Sequence, residues 1–234
     1  MNPRRPLRVL SNEAPRAHGH GAAHGHGNAH GHDGAHAHGM GHGHPPFSDA
    51  EALASVLDDP ARDAWQRPDE VLRAMALAPT MSVADVGAGT GYFAVRLARA
   101  VPAGEVTATD LEPNMVRFVN ERAQREGLHN LRAILAPEGG SGLARESVDR
   151  ILVVHAWHHL PDRAAFARDL SAALRPGGRL LVVDFAVDAL RGPPASLRVA
   201  PEAILAELEA AGLTAQVSTV AVPEQTIVDG WRGP

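Results

Sequence analysis

Apolar residues fall into two regimes along the 234-residue chain. Before residue 47 there are hardly any large apolar side chains beyond Leu7, Val9 and Leu10; after it they recur at helix or strand spacing. Ser48 and Glu51 form a capping-box pattern ahead of Leu53, Val56 and Leu57, which predicts a short opening helix. Pro68 suits the first turn of a second helix reaching residue 78, with Val71, Leu72 and Met75 on one face. Strands and helices then alternate. Buried-strand runs are predicted at residues 83–86, 105–109, 131–135, 150–154 and 180–184. Helices are predicted at 92–101, 113–126, 162–174 and 201–211, stopped in turn by features such as Gly127, Pro176-Gly177-Gly178 and Gly212. Alternation of this kind demands crossovers and a mainly parallel sheet with helices on both faces. The last two runs, 215–221 and 225–231, are joined by a turn at Pro223 too short for a crossover, so that pair is antiparallel.

Residues 1–46 bury too little apolar surface to offset chain entropy and are predicted to be a disordered tail, leaving 47–234 as one domain. The tail carries a hexapeptide repeat of histidine pairs: His18/His20, His24/His26, His30/His32, His36/His38 and His42/His44. A hexapeptide β-helix would need an apolar ladder that these units lack. Imidazoles two apart on a flexible backbone chelate zinc, nickel, copper or cobalt; the competing reading is a neutral solubilising tail.

Composition narrows the chemistry. Ten of the 14 histidines lie in the tail, cysteine is absent, and all 22 basic side chains are arginine. No thiol nucleophile, disulfide, Schiff-base lysine or P-loop lysine is available. A net charge of -5 without lysine speaks against a nucleic-acid surface, and no apolar run reaches bilayer length, so no membrane partner is expected. Arg4, Arg5 and Arg8 are followed by no apolar signal segment, which makes a soluble, cytoplasmic location the expectation.

The informative stretch is DVGAGTGY, Asp85 to Tyr92. Glycines 87, 89 and 91 sit where a buried strand turns into a helix, letting backbone approach a ligand in front of the helix N-terminus. Asp110 follows Gly91 by 19 residues at the end of the next strand, placed to accept from two ribose hydroxyls. A dinucleotide fingerprint wants glycine where Tyr92 stands, and Asp85 repels a pyrophosphate. A cationic amino-acid nucleoside would find Asp85 favourable. Three glycines serving only a tight turn would leave Asp110 unexplained.

These residues resemble the class I S-adenosylmethionine-dependent methyltransferases. Residues 83–92 look like the glycine motif, 109–115 (TDLEPNM) like the acidic ribose motif, 150–160 like the fourth-strand motif, and 174–180 (LRPGGRL) like the loop before the fifth strand. The flavour is that of the small-molecule branch containing quinone-biosynthesis C-methyltransferases. The resemblance implies an α/β, Rossmann-like seven-stranded sheet, mostly parallel, in the order 3-2-1-4-5-7-6 with strand 7 antiparallel. It implies S-adenosylmethionine as cofactor and a small-molecule methyl acceptor as partner. Asp85, Gly87, Ala88, Gly89, Thr90 and Gly91 would hold the methionyl end, Asp110 the ribose, Leu111 and Met115 the adenine faces, with Glu138 a further adenine contact. DNA-base methyltransferases carry an N/D-P-P-Y/F motif where this chain has His155-Ala156-Trp157-His158, and arsenite methyltransferases depend on cysteines.

His155, His158 and His159 leave the fourth strand at the edge that faces ligands in open α/β sheets. His155 and His158, three apart, are the candidate bases, and Trp157 a candidate acceptor-orienting ring. The alternatives are helix capping or loop packing, and a three-histidine metal site. In the loop 185–200, Arg191 or Arg198 would meet an anionic acceptor or be merely solvated, and Trp65 and Phe47 belong to an N-terminal lid. Two rival functions remain: a metal-buffering or sensing protein with a methyltransferase-like scaffold, and an NAD-dependent oxidoreductase.

Overall fold

The computed structural model describes residues 49–234; the histidine tail, Phe47 and Ser48 lie outside the described residues. Helix α1 (Ala50–Leu57) is followed by a 3₁₀ turn at Pro60–Arg62, a single helical turn α2 (Asp63–Gln66) and α3 (Pro68–Met75). The alternating part runs β1 (Ser82–Val86), α4 (Tyr92–Ala100), β2 (Glu105–Asp110), α5 (Pro113–Arg125), β3 (Leu131–Leu135), β4 (Val148–Val154), α6 (Arg163–Ala173), β5 (Leu174–Phe185), α7 (Pro201–Ala210), β6 (Thr214–Val217) and β7 (Gln225–Trp231). The seven strands form one sheet in the order β3-β2-β1-β4-β5-β7-β6, with β7 antiparallel to both its neighbours. This is the strand order, with strand 7 antiparallel, that the resemblance implies.

Successive strand residues feed opposite faces, as a two-residue side-chain period requires. Leu152, Leu181 and Val183 join Phe93, Leu97 and Val119 under α3, α4 and α5, while Ile151, Val153, Leu180 and Val182 meet Phe166, Leu170, Ile204 and Leu208 of α6 and α7. Among the described residues no helix is long and apolar enough to cross a membrane.

Several boundaries differ from the sequence expectation for definable reasons. Asp49, not Ser48, caps α1 by accepting from Ala52 N at 3.0 Å, and Glu51 pairs with Arg117 rather than reaching back to the cap. Helix α3 stops at Met75 because Ala76 turns left-handed at φ 48°, ahead of Pro79. The chain leaves α6 directly into the sheet at Leu174, opposite Val148, so Pro176-Gly177-Gly178 is an irregularity inside β5 rather than a loop before it. Strand β6 ends at Val217 instead of running to 221.

Every parallel strand ends its carboxyl terminus at one edge, bringing Gly87, Asp110, His155 and Phe185 to a common crest. The antiparallel β7 starts there, with Gln225 paired to Phe185. This crest is where the polar groups collect.

Candidate functional site

The glycine loop between β1 and α4 is left-handed at all three glycines, with φ of 71°, 54° and 81° at Gly87, Gly89 and Gly91. A Cβ on Gly87 would lie 2.7 Å from Ala156 Cβ, so strand β4's exit closes on it and no side chain fits. Gly87 N and Ala88 N donate to Thr109 O at 2.8 and 3.1 Å, and Gly89 N donates to Asp110 Oδ2 at 2.8 Å. The other Asp110 oxygen accepts from Glu112 N at 3.0 Å. Burial pushes the Asp110 pKa up, against the backbone N–H groups that hold its charge.

Asp85 is 3% exposed, and its Oδ2 has no hydrogen-bond partner. Its carboxyl is pushed up to about 7, first by burial and then by the Asp110 charge, against the Ala94 N–H and Arg62. An orphaned buried carboxylate oxygen is costly unless a cation meets it. The cradle therefore fits a ligand with an ammonium group beside a ribose, and it disfavours a pyrophosphate.

The remaining expected cofactor contacts are distributed unevenly. Thr90 is 1% exposed and its hydroxyl donates to Asp58 at 3.3 Å, so only its backbone faces the loop. Met115 is buried against Ala50 and Leu53 of α1. Leu111 is 58% exposed next to Asp110. Glu138 is exposed in the turn after β3, which begins where Ala136 N donates to Asp110 O at 2.9 Å.

His155 and His158 occupy different environments. The His155 ring stacks on Phe185 at 4.0 Å and on Trp65 at 5.8 Å, and its Nε2 lies 3.0 Å from Gln225 Oε1. That oxygen also accepts from Gln66, while the Gln225 amide donates to Trp65 O and Pro223 O. Gln225 Oε1 acts only as an acceptor, so His155 is the Nε2–H tautomer. Burial lowers the His155 pKa to about 3, and the ring is neutral at physiological pH.

His158 Nδ1 is 2.8 and 3.0 Å from the two Asp184 oxygens, and its own N–H also donates to Oδ2 at 3.1 Å. Burial raises the Asp184 pKa, but the His158 hydrogen bond, the nearby histidines and Phe185 N–H outweigh it and leave the carboxylate below its usual range. An ionised Asp184 accepts from Nδ1–H and leaves the lone pair of His158 on Nε2. Trp157 is not at the crest: it is fully buried and donates to Glu207 at 2.8 Å. Among the described residues no cluster of three metal-ligating side chains forms, which removes the three-histidine metal site.

The N-terminal segment covers this crest. Leu57 Cδ1 approaches to 3.7 Å of where a Gly89 Cβ would be, Asp58 binds Arg122 at 2.9 Å, and Asp63 binds Tyr92 and Arg96. Between this cap and the loop after β5 lies a concavity of about 610 Å³ lined by Arg62, Trp65 and Arg191 among others. Arg191 pairs with Glu224 at 3.0 Å and sits 5.6 Å over the Trp65 ring. Arg198, expected at the acceptor or in solvent, instead donates to the carbonyls of Val187, Ala189, Arg191 and Pro193 and holds the loop's shape.

Asp184, Gln225, Gln66 and Arg62 were not singled out by sequence. Asp184 carried the signal that marked Asp85 and Asp110, an acid closing an apolar strand run. Gln225 opens the predicted strand β7 but is polar and left no mark of its own, and Arg62 and Gln66 are brought in by tertiary packing of a short segment without periodicity.

Residues 83–178 match a family model described as a methyltransferase domain. Over 131 residues the chain is 34% identical to methyltransferase GfsG of Streptomyces halstedii, across 55% of this chain and 47% of that protein. Over 115 residues it is 33% identical to the ubiquinone/menaquinone biosynthesis C-methyltransferase UbiE of Syntrophotalea carbinolica, across 49% of this chain and 48% of that one. The chain thus spans about half the length of these curated relatives. The crystal structure of a SAM-dependent methyltransferase from Aquifex aeolicus aligns with a TM-score of 0.69 at 27% identity, covering 78% of this chain and 97% of that one.

Proposed function

We propose, from the match of residues 83–178 to a methyltransferase domain, that the protein transfers a methyl group from S-adenosylmethionine to a small molecule. The observation that carries this reading is the orphaned Asp85 oxygen behind a glycine cradle whose amide is tied to Asp110. Asp85 receives the ligand's α-ammonium, the amides of Gly87, Ala88, Gly89, Thr90 and Gly91 line its backbone side, and Asp110 accepts from the ribose hydroxyls. Leu111 and Met115 flank the adenine, and Glu138 lies towards its rim.

When bound, the cofactor supplies a methyl group already activated by a sulfonium. What this chain contributes is alignment, exclusion of water and, for an acceptor that must ionise, a base. His158 takes that role: its Nε2 receives the acceptor proton while Asp184 fixes the tautomer and stabilises the imidazolium. His155, neutral, with its Nε2–H held by Gln225 and its ring stacked on Phe185 and Trp65, has a packing role rather than that of the base. Incubating the full chain with methyl-labelled donor and a small-molecule cell extract tests the proposal. Label entering a low-mass product is expected; label that stays on the donor contradicts it.

Asp85 gives the reading a pH signature. Its folded, ligand-free pKa of about 7 lies above its ordinary 3.8, so the protonated form is favoured by folding. That contribution to stability is fully present below the ordinary carboxylate range and is lost as pH rises through 7. A ligand ammonium needs the charged form. Binding of S-adenosylhomocysteine is therefore expected to release a proton near pH 6.5 and to weaken by up to about tenfold per pH unit below the Asp85 pKa. Calorimetry in buffers of different ionisation enthalpy reads this directly; Asp85→Asn abolishes the release, and a pH-independent wild-type affinity between 5.5 and 8 contradicts it.

We propose that His18, His20, His24, His26, His30, His32, His36, His38, His42 and His44 bind divalent zinc, nickel, copper or cobalt, on the strength of five histidine pairs at a fixed period of six. Calorimetry with Zn²⁺ on the full chain and on a chain lacking residues 1–46 is expected to show several sites lost with the tail, and weakened binding below about pH 6 as imidazoles protonate. Equal stoichiometry in the two chains rules the tail out. A protein that binds metal through its tail but no methyl donor would be the buffering or sensing scaffold instead.

A further inference from the structure

Two arginines from distant parts of the chain share one concavity. Arg62 belongs to the cap and Arg191 to the loop after β5, and both line the space of about 610 Å³ to which Trp65 also contributes. Their guanidinium carbons lie 5.9 and 5.6 Å from the centre of the Trp65 ring. Like charges gathered at one ring repel each other until an anion joins them.

Both side chains keep N–H donors in reserve. Arg62 donates from Nε and Nη2 to Gln66 Oε1 at 3.2 and 3.1 Å and from Nη1 to Leu57 O at 2.7 Å, all neutral acceptors. A guanidinium has five N–H bonds, so two of Arg62's have no acceptor among the described residues. Arg191 commits only its Nε, to Glu224 Oε1 at 3.0 Å, and its terminal nitrogens have no acceptor among the described residues.

The fold sets both groups in place before any ligand arrives. Gln66, which holds Arg62, is fully buried and bonded to Gln225. Leu190 N and Arg191 N donate to Glu224 Oε2 at 2.8 and 2.9 Å. Gly192 follows with φ 88°, and a Cβ there would lie 2.6 Å from Phe185 Cγ, so the loop is pressed onto the end of β5. Rings link this concavity to the proposed base: Trp65 lies 6.3 Å from Phe185, and Phe185 lies 6.3 Å from His158. A flat apolar body suits the space beside those rings. Glu224 already shares Arg191, and Asp59 stands on the same rim with its Oδ1 accepting from Ala61 N at 2.8 Å. Beside these acids a single negative charge is tolerated better than the two of a phosphate monoester.

We propose that the concavity anchors the methyl acceptor, taking the carboxylate of an aromatic acid between Arg62 and Arg191, with the acid's ring beside Trp65 and its reacting hydroxyl or amine at His158. The inference rests on the methyl-transfer reading above and narrows the acceptor to one chemical class. The carboxylate is held away from the donor and is not the atom methylated. His158 takes the proton from the atom that is, so the product keeps one negative charge.

The full chain, methyl-labelled S-adenosylmethionine and a small-molecule cell extract test this when the labelled product is passed over an anion exchanger. Retention is expected at pH 7 and release at about pH 2.5, where a carboxyl is neutral. Arg62→Gln and Arg191→Gln are each expected to slow labelling roughly 10- to 100-fold in dilute extract, the size of a lost charged fork. The rate should recover as the extract is concentrated, because the loss lies in KM. Affinity for S-adenosylhomocysteine should stay within about twofold of wild type in both variants, which also shows that they fold. A product that is neutral at pH 7 or still retained at about pH 2.5 overturns the anchor while methyl transfer stands. So does undiminished labelling of dilute extract in either variant, a loss that concentrated extract does not restore, or an equal loss of S-adenosylhomocysteine affinity. Wild-type protein that moves no label contradicts the methyl-transfer reading and the anchor with it.

Discussion

Replacing His158 by glutamine is expected to slow methyl transfer by about 10²–10⁴-fold, the span of a lost general base, while leaving S-adenosylhomocysteine affinity unchanged. Two Asp184 oxygens lie within 3.0 Å of Nδ1, so the proton is committed there and Nε2 keeps its lone pair. Glutamine preserves size and some polarity but has no basic ring nitrogen to receive the acceptor proton. Asp184→Asn should behave similarly, since a side-chain amide presented to Nδ1–H favours the wrong tautomer. His155 provides the contrast. With a pKa of about 3 and its Nε2–H held by Gln225, it is a poor base at neutral pH, and His155→Phe should keep most of the rate. The check is labelled methyl transfer into the extract's acceptor under single-turnover conditions, beside calorimetry with S-adenosylhomocysteine. Unchanged transfer in His158→Gln would mean that the acceptor arrives ionised; a parallel loss of cofactor affinity would mean that His158 is structural.

Asp110→Ala is expected to weaken S-adenosylhomocysteine by at least about 100-fold, from two charge-assisted hydrogen bonds of roughly 1.5–3 kcal/mol each. The carboxylate does two jobs. It is expected to hold the ribose, and it already holds Gly89 N and Glu112 N, which shape the glycine loop and the entry to α5. Asp110→Asn keeps one acceptor oxygen and should lose less. Thermal stability should fall only modestly, because the Gly89 and Glu112 N–H groups lose an acceptor in Asp110→Ala while the desolvation cost of the buried carboxylate is relieved. A large affinity loss without a matching fall in melting temperature is the signature of a ligand group; the reverse pattern would make Asp110 a loop anchor only.

How much was legible in the sequence follows from which physical signals are local. The β1 run, the three glycines and Asp110 could be read because a buried strand, left-handed turns and a strand-end acid each leave a short-range mark. Strand β3 and strand β7 fell on the expected residues for the same reason, as bounded apolar runs. Boundaries slipped where one residue's backbone decides the outcome: the left-handed Ala76 shortens α3, and Leu174 enters the sheet without a loop. The site's outer wall was harder. Residues 58–66 show no periodicity, so α2 went unread, and with it Arg62 and Gln66. Trp157 stood in an exposed-looking run of polar residues, yet Glu207, 50 positions away, satisfies its indole and permits full burial. By sequence Arg198 suits solvent or substrate equally, whereas four carbonyls of its own loop hold it. Contacts across long sequence separations decide such residues, and a linear pattern carries little trace of them.

The central claim is that the Asp85–glycine–Asp110 crest holds the methyl donor, and titrating the full chain with S-adenosylhomocysteine tests it most directly. Saturable binding of one molecule per chain is expected, with a melting temperature that rises with ligand concentration, loss of both in Asp110→Ala, and no binding of NADH. Wild-type protein that neither binds S-adenosylhomocysteine nor is stabilised by it, or that is stabilised equally well without Asp110, would contradict it.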